Sequence, residues 1–305
     1  MTIRKLPAAV LSVCFFLSAP VFPQQTSTGT AQPQANPAPS SQPTAPAASP
    51  EIPLNTSDAQ ISVQLFYYAP FTQPDLHGGK ANVGPYPGDL KYPGSPKRAP
   101  GIVASFPAGK NNTLRISYFR LQGDGNTTSP GYRTLFNTDF NPGDYLVTRY
   151  QVQNVKLSFD FLSYPFPPNP SRFRLRTLWE VQYTNIKNSI DAPLRPVQTD
   201  ASGNPISNTA TGSRWLIDPS FGVAIEKAFS GHFRVEAKAS GFAFPHRAVI
   251  YDMEASASYR VGRYEISAGV RDFHFKTSPQ NAQYLAATYP GVFVAIRYYP
   301  PWLWK

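Results

Sequence analysis

The chain has 305 residues, including 33 prolines, 20 glycines, 21 phenylalanines and 17 tyrosines, and only 15% of it is charged, against about a quarter in an ordinary soluble domain. Its formal net charge is +10 and it has one cysteine, Cys14, within the leader described next. A mature chain without that leader excludes disulfides and thiol catalysis, and no nucleic-acid-binding motif is present.

Residues 1–24 read as a secretory signal. Arg4 and Lys5 precede the apolar run from Ala8 to Leu17, which Ser18-Ala19-Pro20 ends. The run falls short of the ~20 apolar residues of a membrane-spanning helix. Cleavage is expected between Ala19 and Gln25. Leu11-Ser12-Val13-Cys14 has a bulky valine where a lipidation box needs a small residue, so no lipid anchor is assigned. Without the two leader cations the balance is 26 basic to 18 acidic residues, a net +8. Residues 25–58 are rich in Pro, Gln, Ala, Ser and Thr and bury too little to offset ordering, so a disordered linker is expected. Residues 59–305 then form the folded domain.

From Ile61 onward the sequence alternates with period two, the signature of β-strands with distinct faces. In Phe173–Tyr183, Leu175, Trp179, Val181 and Tyr183 alternate with Arg174, Arg176, Glu180 and Gln182. The same split separates Val155, Leu157 and Phe159 from Lys156, Ser158 and Asp160. It separates Val235, Ala237 and Ala239 from Arg234, Glu236 and Lys238. Met253, Ala255 and Tyr259 alternate with Asp252, Glu254 and Arg260, and Ile266 and Val270 with Glu265 and Arg271. Ten strands are predicted: 61–69, 100–106, 112–121, 144–161, 172–185, 214–228, 232–244, 248–261, 264–276 and 291–299. A two-residue turn at Gly262-Arg263 pairs Arg260 with Glu265, Glu254 with Arg271 and Tyr259 with Ile266. A three-residue turn at Phe229-Ser230-Gly231 pairs Glu226 with Arg234 and Ile225 with Val235. Opposite charges thus share one face and apolar groups the other in both hairpins.

The connections sort by length. Those at 70–99, 122–143, 186–213 and 277–290 are long, 162–171 is middling, and 107–111, 229–231 and 262–263 are short, as is the outer link near Pro245-His246, the one exception to the sorting. Antiparallel up-and-down barrels of the bacterial outer membrane have long loops outside and short turns inside. Alternation alone suits a soluble β-domain equally well. Export, loop sorting and aromatics near strand ends (Tyr118, Tyr145, Tyr183, Trp215, Tyr251, Tyr259, Tyr264 and Tyr298) favour the barrel, with the apolar face toward lipid.

Gly291-Val-Phe-Val-Ala-Ile-Arg-Tyr298 resembles the closing strand of bacterial outer-membrane proteins, matching at Gly291, Val294, Ile296 and Tyr298. Residues 300–304 extend past the usual aromatic end. The organisation of Ile61–Tyr299 is similar to small outer-membrane β-barrels in general. The resemblance implies an all-β, antiparallel transmembrane barrel of about ten strands in a Gram-negative outer membrane. Its partners would be outer-membrane lipid and the barrel-assembly machinery that reads the closing strand.

Chemistry-bearing groups are few. Asp272-Phe273-His274 has an Asp-x-His spacing similar to that of omptin-type outer-membrane proteases, with Asp252 and Glu254 as candidate opposing acids. The predicted register, however, sends Asp272 and His274 to the lipid side unless a bulge intervenes. A lipid-A deacylase pattern would want Ser where Lys276 stands. His77, His232 and His246 fall in loops or turns, and no metal or cofactor is expected. Gly123-Asp124-Gly125-Asn126 lacks a calcium loop's acidic spacing, and Gly78-Gly79-Lys80 lacks the rest of a phosphate loop. The remaining signal is a set of charges expected to line the interior without catalytic role: Lys156, Arg174, Arg176, Glu180, Glu226, Arg234, Glu236, Lys238, Asp252, Glu254, Arg260, Glu265 and Arg271. Arg115, Asp160, Asp218 and Arg297 are expected to join them. A salt-bridged plug and a narrow porin-like path for small anions both follow from such a lining. The expected role is structural or surface-interacting rather than enzymatic, with a narrow pore and an Asp272/His274 hydrolase as alternatives.

Overall fold

The computed structural model describes residues 60–71, 75–79, 90–93, 95–97, 99–109, 111–164, 173–199, 201–229, 232–244, 248–278 and 283–300. The chain divides after Pro50, and every described residue belongs to the unit Glu51–Lys305. The expected leader (1–24) and linker (25–58) lie outside the described residues, as do His246, the turn residues Ser230 and Gly231, and Lys80.

Ten long strands close into an antiparallel up-and-down barrel: β1 (Ser62–Pro70), β2 (Ala99–Pro107), β3 (Thr113–Thr128), β4 (Tyr145–Tyr164), β5 (Arg174–Asp191), β6 (Thr209–Ala228), β7 (Phe233–Phe244), β8 (Ala248–Val261), β9 (Tyr264–Lys276) and β10 (Leu285–Tyr298). Each pairs with its sequence neighbour, and β1 pairs with β10 from Val63↔Tyr298 to Pro70↔Gly291, so no barrel edge is left open. Each sequence-predicted strand corresponds to one of these. Connections 71–98, 129–144, 192–208 and 277–284, together with the short link between β7 and β8, leave from one end, and 108–112, 165–173, 229–232 and 262–263 from the other.

Strands β3 to β6 run 16, 20, 18 and 20 residues, whereas β7 to β9 run 12, 14 and 13. The excess projects at the long-loop end as a four-stranded wall, which the predicted ends at 121, 185 and 214 leave out. Ser95–Lys97 adds to this wall along β3, and Asp75–Gly78 adds to the loop end of β10. A hairpin of Arg133–Leu135 and Thr138–Phe140 folds over the mouth. Its turn residues Phe136 and Asn137 hold positive φ, +47° and +66°.

The two hairpins differ in outcome. At Gly262-Arg263, Gly262 takes φ +58°, and the pairs Arg260↔Glu265, Glu254↔Arg271 and Tyr259↔Ile266 form as the sequence predicts. Between β6 and β7 the register lies two residues away from the prediction. Ile225 faces Ala237, and Glu226 faces Glu236. The Phe229 N–H donates to the Phe233 carbonyl, closing a longer turn. A shift of two preserves the faces, so the apolar pattern tolerates it. The like charges stay apart energetically because each carboxylate takes an arginine from another strand.

Candidate functional site

Polarity decides which face is inside. Along the turn-end part of the barrel the inward charged positions are buried or half-buried and the outward apolar positions exposed: Leu65 is 62% exposed, Trp179 57%, Ile217 58% and Ile266 59%, while Arg176 is 1% exposed and Glu226 3%. This inverts a soluble domain, where an exposed apolar patch rarely exceeds a few hundred Å². Aromatics edge the exposed belt. Phe173, Phe229, Phe233, Tyr259 and Tyr264 lie toward the short turns, and Tyr118, Tyr183 and Trp215 toward the long loops. Tyr145 lies farther out, on the projecting wall rather than at the belt's edge, which corrects its expected place.

Inside the belt lies a storey of linked ion pairs. Arg176 donates to Glu226 at 3.0 Å, and Arg174 and Arg234 each approach that carboxylate at 3.6 Å. Arg234 also bridges to Glu265, which Arg297 approaches at 3.3 Å and the Tyr299 hydroxyl meets at 2.9 Å. Arg115 pairs with Asp160 and lies 3.6 Å from Glu236. Lys156 joins Asp252 at 2.8 Å to Glu180 at 3.4 Å, and Lys238 meets Glu254 at 3.0 Å. Arg260 donates to Gln60 at 2.8 Å with its guanidinium over the Tyr299 ring. Asp218 stands apart, half-buried, without an ion pair among the described residues. Each of the thirteen charged residues singled out in the sequence is on this inward face; most pair with a neighbouring strand, while Arg115–Glu236, Lys156–Asp252 and Arg234–Glu265 join non-adjacent strands. Cross-lumen pairing is what sequence register could not supply.

Arg271 marks the top of this storey. Its guanidinium donates twice to Asp252, at 2.9 and 2.8 Å, and lies 4.5 Å from the centre of the Phe119 ring. Above it the interior is apolar. Phe119 meets Phe273 edge-on at 5.2 Å, and Tyr150 and Phe275 lie near Tyr289. Leu121, Leu146, Val152, Ile186, Ile190 and Leu285 fill the space between, and the loop residues Leu90, Leu135, Phe136 and Phe140 cover it. Glycines make room for rings: an added Cβ on Gly212 would run into the Phe136 ring, and one on Gly269 would meet Phe293 at 2.9 Å.

The alternation therefore changes phase along the strands. On β3, Ile116 and Tyr118 face out and Arg115 and Ser117 face in; then Arg120 and Gln122 face out and Phe119 and Leu121 face in. On β4 the change falls between Val155 and Val152, on β5 between Tyr183 and Ile186, and on β9 between Val270 and Phe273. This signal was present in the sequence as a shift of the apolar set from one parity to the other. Treating each strand as one constant-face unit hid it.

Among the described residues the charged storey is closely packed. A cavity of about 50 Å³ lies among Gln64, Arg115, Lys156, Glu180, Glu254 and Arg297, room for a few waters. The candidate hydrolytic residues do not converge. The β8–β9–β10 register is continuous, so Asp272 and His274 are on the outer face, where His274 stacks on Tyr251 and bonds the Thr288 hydroxyl at 2.8 Å. Asp252 and Glu254 are inside, committed to Arg271, Lys156 and Lys238. No group of His, Cys, Asp and Glu among the described residues is placed to hold a metal.

No protein family and no curated protein matches the chain. Among solved structures it is similar to the transport unit of the autotransporter AIDA-I from Escherichia coli, at 11% identity over 81% of this chain and 92% of that one, with a TM-score of 0.37.

Proposed function

We propose that the protein is an outer-membrane β-barrel with a closed interior, exported by its leader, that serves as a structural and surface-interaction element rather than as an enzyme. The observation that carries this reading is the inverted polarity: an apolar, aromatic-edged belt outside and linked ion pairs inside. Such a belt is stable against hydrocarbon and costly against water. The barrel-assembly machinery would insert it through the closing strand β10, and the long loops would face the environment. The ion-paired storey and the apolar storey above it oppose the porin-like alternative, since neither leaves a solute path.

Membrane fractionation combined with heat-modifiable gel mobility tests the reading. Recovery in the membrane fraction, with a folded band that shifts on boiling, is the expected result; recovery in the soluble periplasmic fraction overturns it. In planar bilayers no stepwise conductance is expected, and resolved steps overturn the closed interior.

A further inference from the structure

The projecting wall carries a groove on its outward face. Its volume is about 1110 Å³, well above an inorganic anion and somewhat larger than the ~300–1,000 Å³ of small-molecule pockets. Four strands contribute outward side chains: Gln122 and Asp124 from β3, Arg149 and Gln151 from β4, Lys187 and Ser189 from β5, Thr211 and Ser213 from β6. The register aligns them in two rows, Gln122↔Gln151, Gln151↔Lys187 and Lys187↔Ser213, then Asp124↔Arg149, Arg149↔Ser189 and Ser189↔Thr211. Arg149 and Lys187 are therefore diagonal neighbours, with Cβ atoms about 7–8 Å apart or less, a spacing two long cations span around one phosphate.

The charges of the groove are unevenly compensated. Asp124 is held by Lys97 at 2.7 Å, and Arg120 donates to the neutral Gln151 at 2.6 Å. Asp191, four residues beyond Lys187, accepts the Thr209 hydroxyl. Arg149 and Lys187 are exposed and have no ion pair among the described residues. One row of outward side chains, Arg120, Gln153, Asn185 and Trp215, separates the groove from the apolar belt, whose outward series ends at Tyr118, Val155 and Tyr183 and, on β6, at Trp215 itself. On the outer-membrane reading, on which this inference rests, those positions lie at headgroup depth on the outer leaflet.

We propose that this groove binds the phosphorylated saccharide headgroup of an outer-leaflet lipid. Arg149 and Lys187 hold the phosphate through charge-assisted hydrogen bonds. Gln122, Gln151, Ser189, Thr211 and Ser213 offer the neutral donors and acceptors that sugar hydroxyls require. The occupant is a lipid rather than a free sugar phosphate because the groove lies one row of side chains from the edge of the belt, so acyl chains attached to the headgroup can extend past Asn185 to lie along Tyr183 and Trp215.

The test uses the full-length protein folded in detergent micelles, with a fluorescent phosphorylated lipid A as probe and dephosphorylated lipid A and inorganic phosphate for comparison. The Arg149→Gln/Lys187→Gln double variant changes only exposed positions, and boiling-dependent mobility checks that it folds. Phosphorylated lipid A is expected to bind the wild type at least about tenfold more tightly than the double variant. Dephosphorylated lipid should not distinguish the two proteins, and Arg263→Gln, at the turn end, should behave as wild type. Equal binding of phosphorylated lipid by wild type and double variant overturns the proposal. Competition by inorganic phosphate at concentrations comparable to the lipid also overturns it, by assigning the site to a free anion. A protein that fractionates with the membrane yet fails these arms sinks only this inference, whereas one recovered as a soluble protein sinks the barrel reading as well.

Discussion

The two storeys of the barrel interior are built from the same ten strands but from opposite chemistry. Near the short turns the inward residues are arginines, lysines and carboxylates; near the long loops they are Phe119, Leu121, Tyr150, Ile186, Phe273 and Tyr289. What changes between them is the outside. Where the outward residues are apolar, an apolar interior would leave the strand with no distinction between its faces, and its register poorly specified. Charged inward positions restore the distinction at the cost of desolvation, which the linked pairs offset. Where the outward residues are Arg120, Gln122, Arg149 and Lys187, the strand follows the ordinary soluble rule and buries its apolar side. The upper storey gains burial; the lower gains specificity.

This contrast orders the expected effects of substitution. Glu226→Ala should be the most damaging, by ~3–5 kcal/mol, because Arg174, Arg176 and Arg234 would remain buried with their shared carboxylate gone; urea unfolding in lipid vesicles measures it. Arg176→Met combined with Glu226→Leu should cost less than the single change, and a double variant no better than Glu226→Ala would refute the account of that cluster. Leu121→Ala, in the upper storey, should cost ~3 kcal/mol as an ordinary buried cavity. Val181→Lys, outward in the belt, should cost ~2 kcal/mol in a bilayer, and no loss would argue that this face meets water. Phe136→Gly should be the mildest, ~1–2 kcal/mol, since losing the buried ring is partly offset by relief at φ +47°; faster proteolysis of the 129–144 loop reads it. Equal sensitivity of both storeys to small apolar truncations would dissolve the comparison.

Much of this was legible in the residues. The ten strands, the Gly262-Arg263 register and the shared inward parity of Lys156, Arg176, Glu180 and Asp252 follow from local period-two patterns. The β6–β7 register was misread because Glu226 opposite Arg234 is locally attractive, while Glu226 in the barrel draws on Arg176 of β5. The upper storey was missed because the apolar set changes parity within the strands, as between Tyr118 and Phe119, and each strand was read as keeping one apolar face throughout. The outer groove went unnoticed because its β3, β5 and β6 residues lie beyond the predicted strand ends, and Arg149 and Gln151 of β4 only form a site beside them.

Sequence by itself determined the antiparallel strand order, a count of about ten with eight or twelve left open, and which side chains share a face, since these depend on near neighbours and a two-residue period. Only the tertiary structure decided which face is inside, that β1 meets β10, and which charged and apolar side chains meet across the interior. Alternation is symmetric between inside and outside, and packing in a lumen depends on side chains that converge from all ten strands.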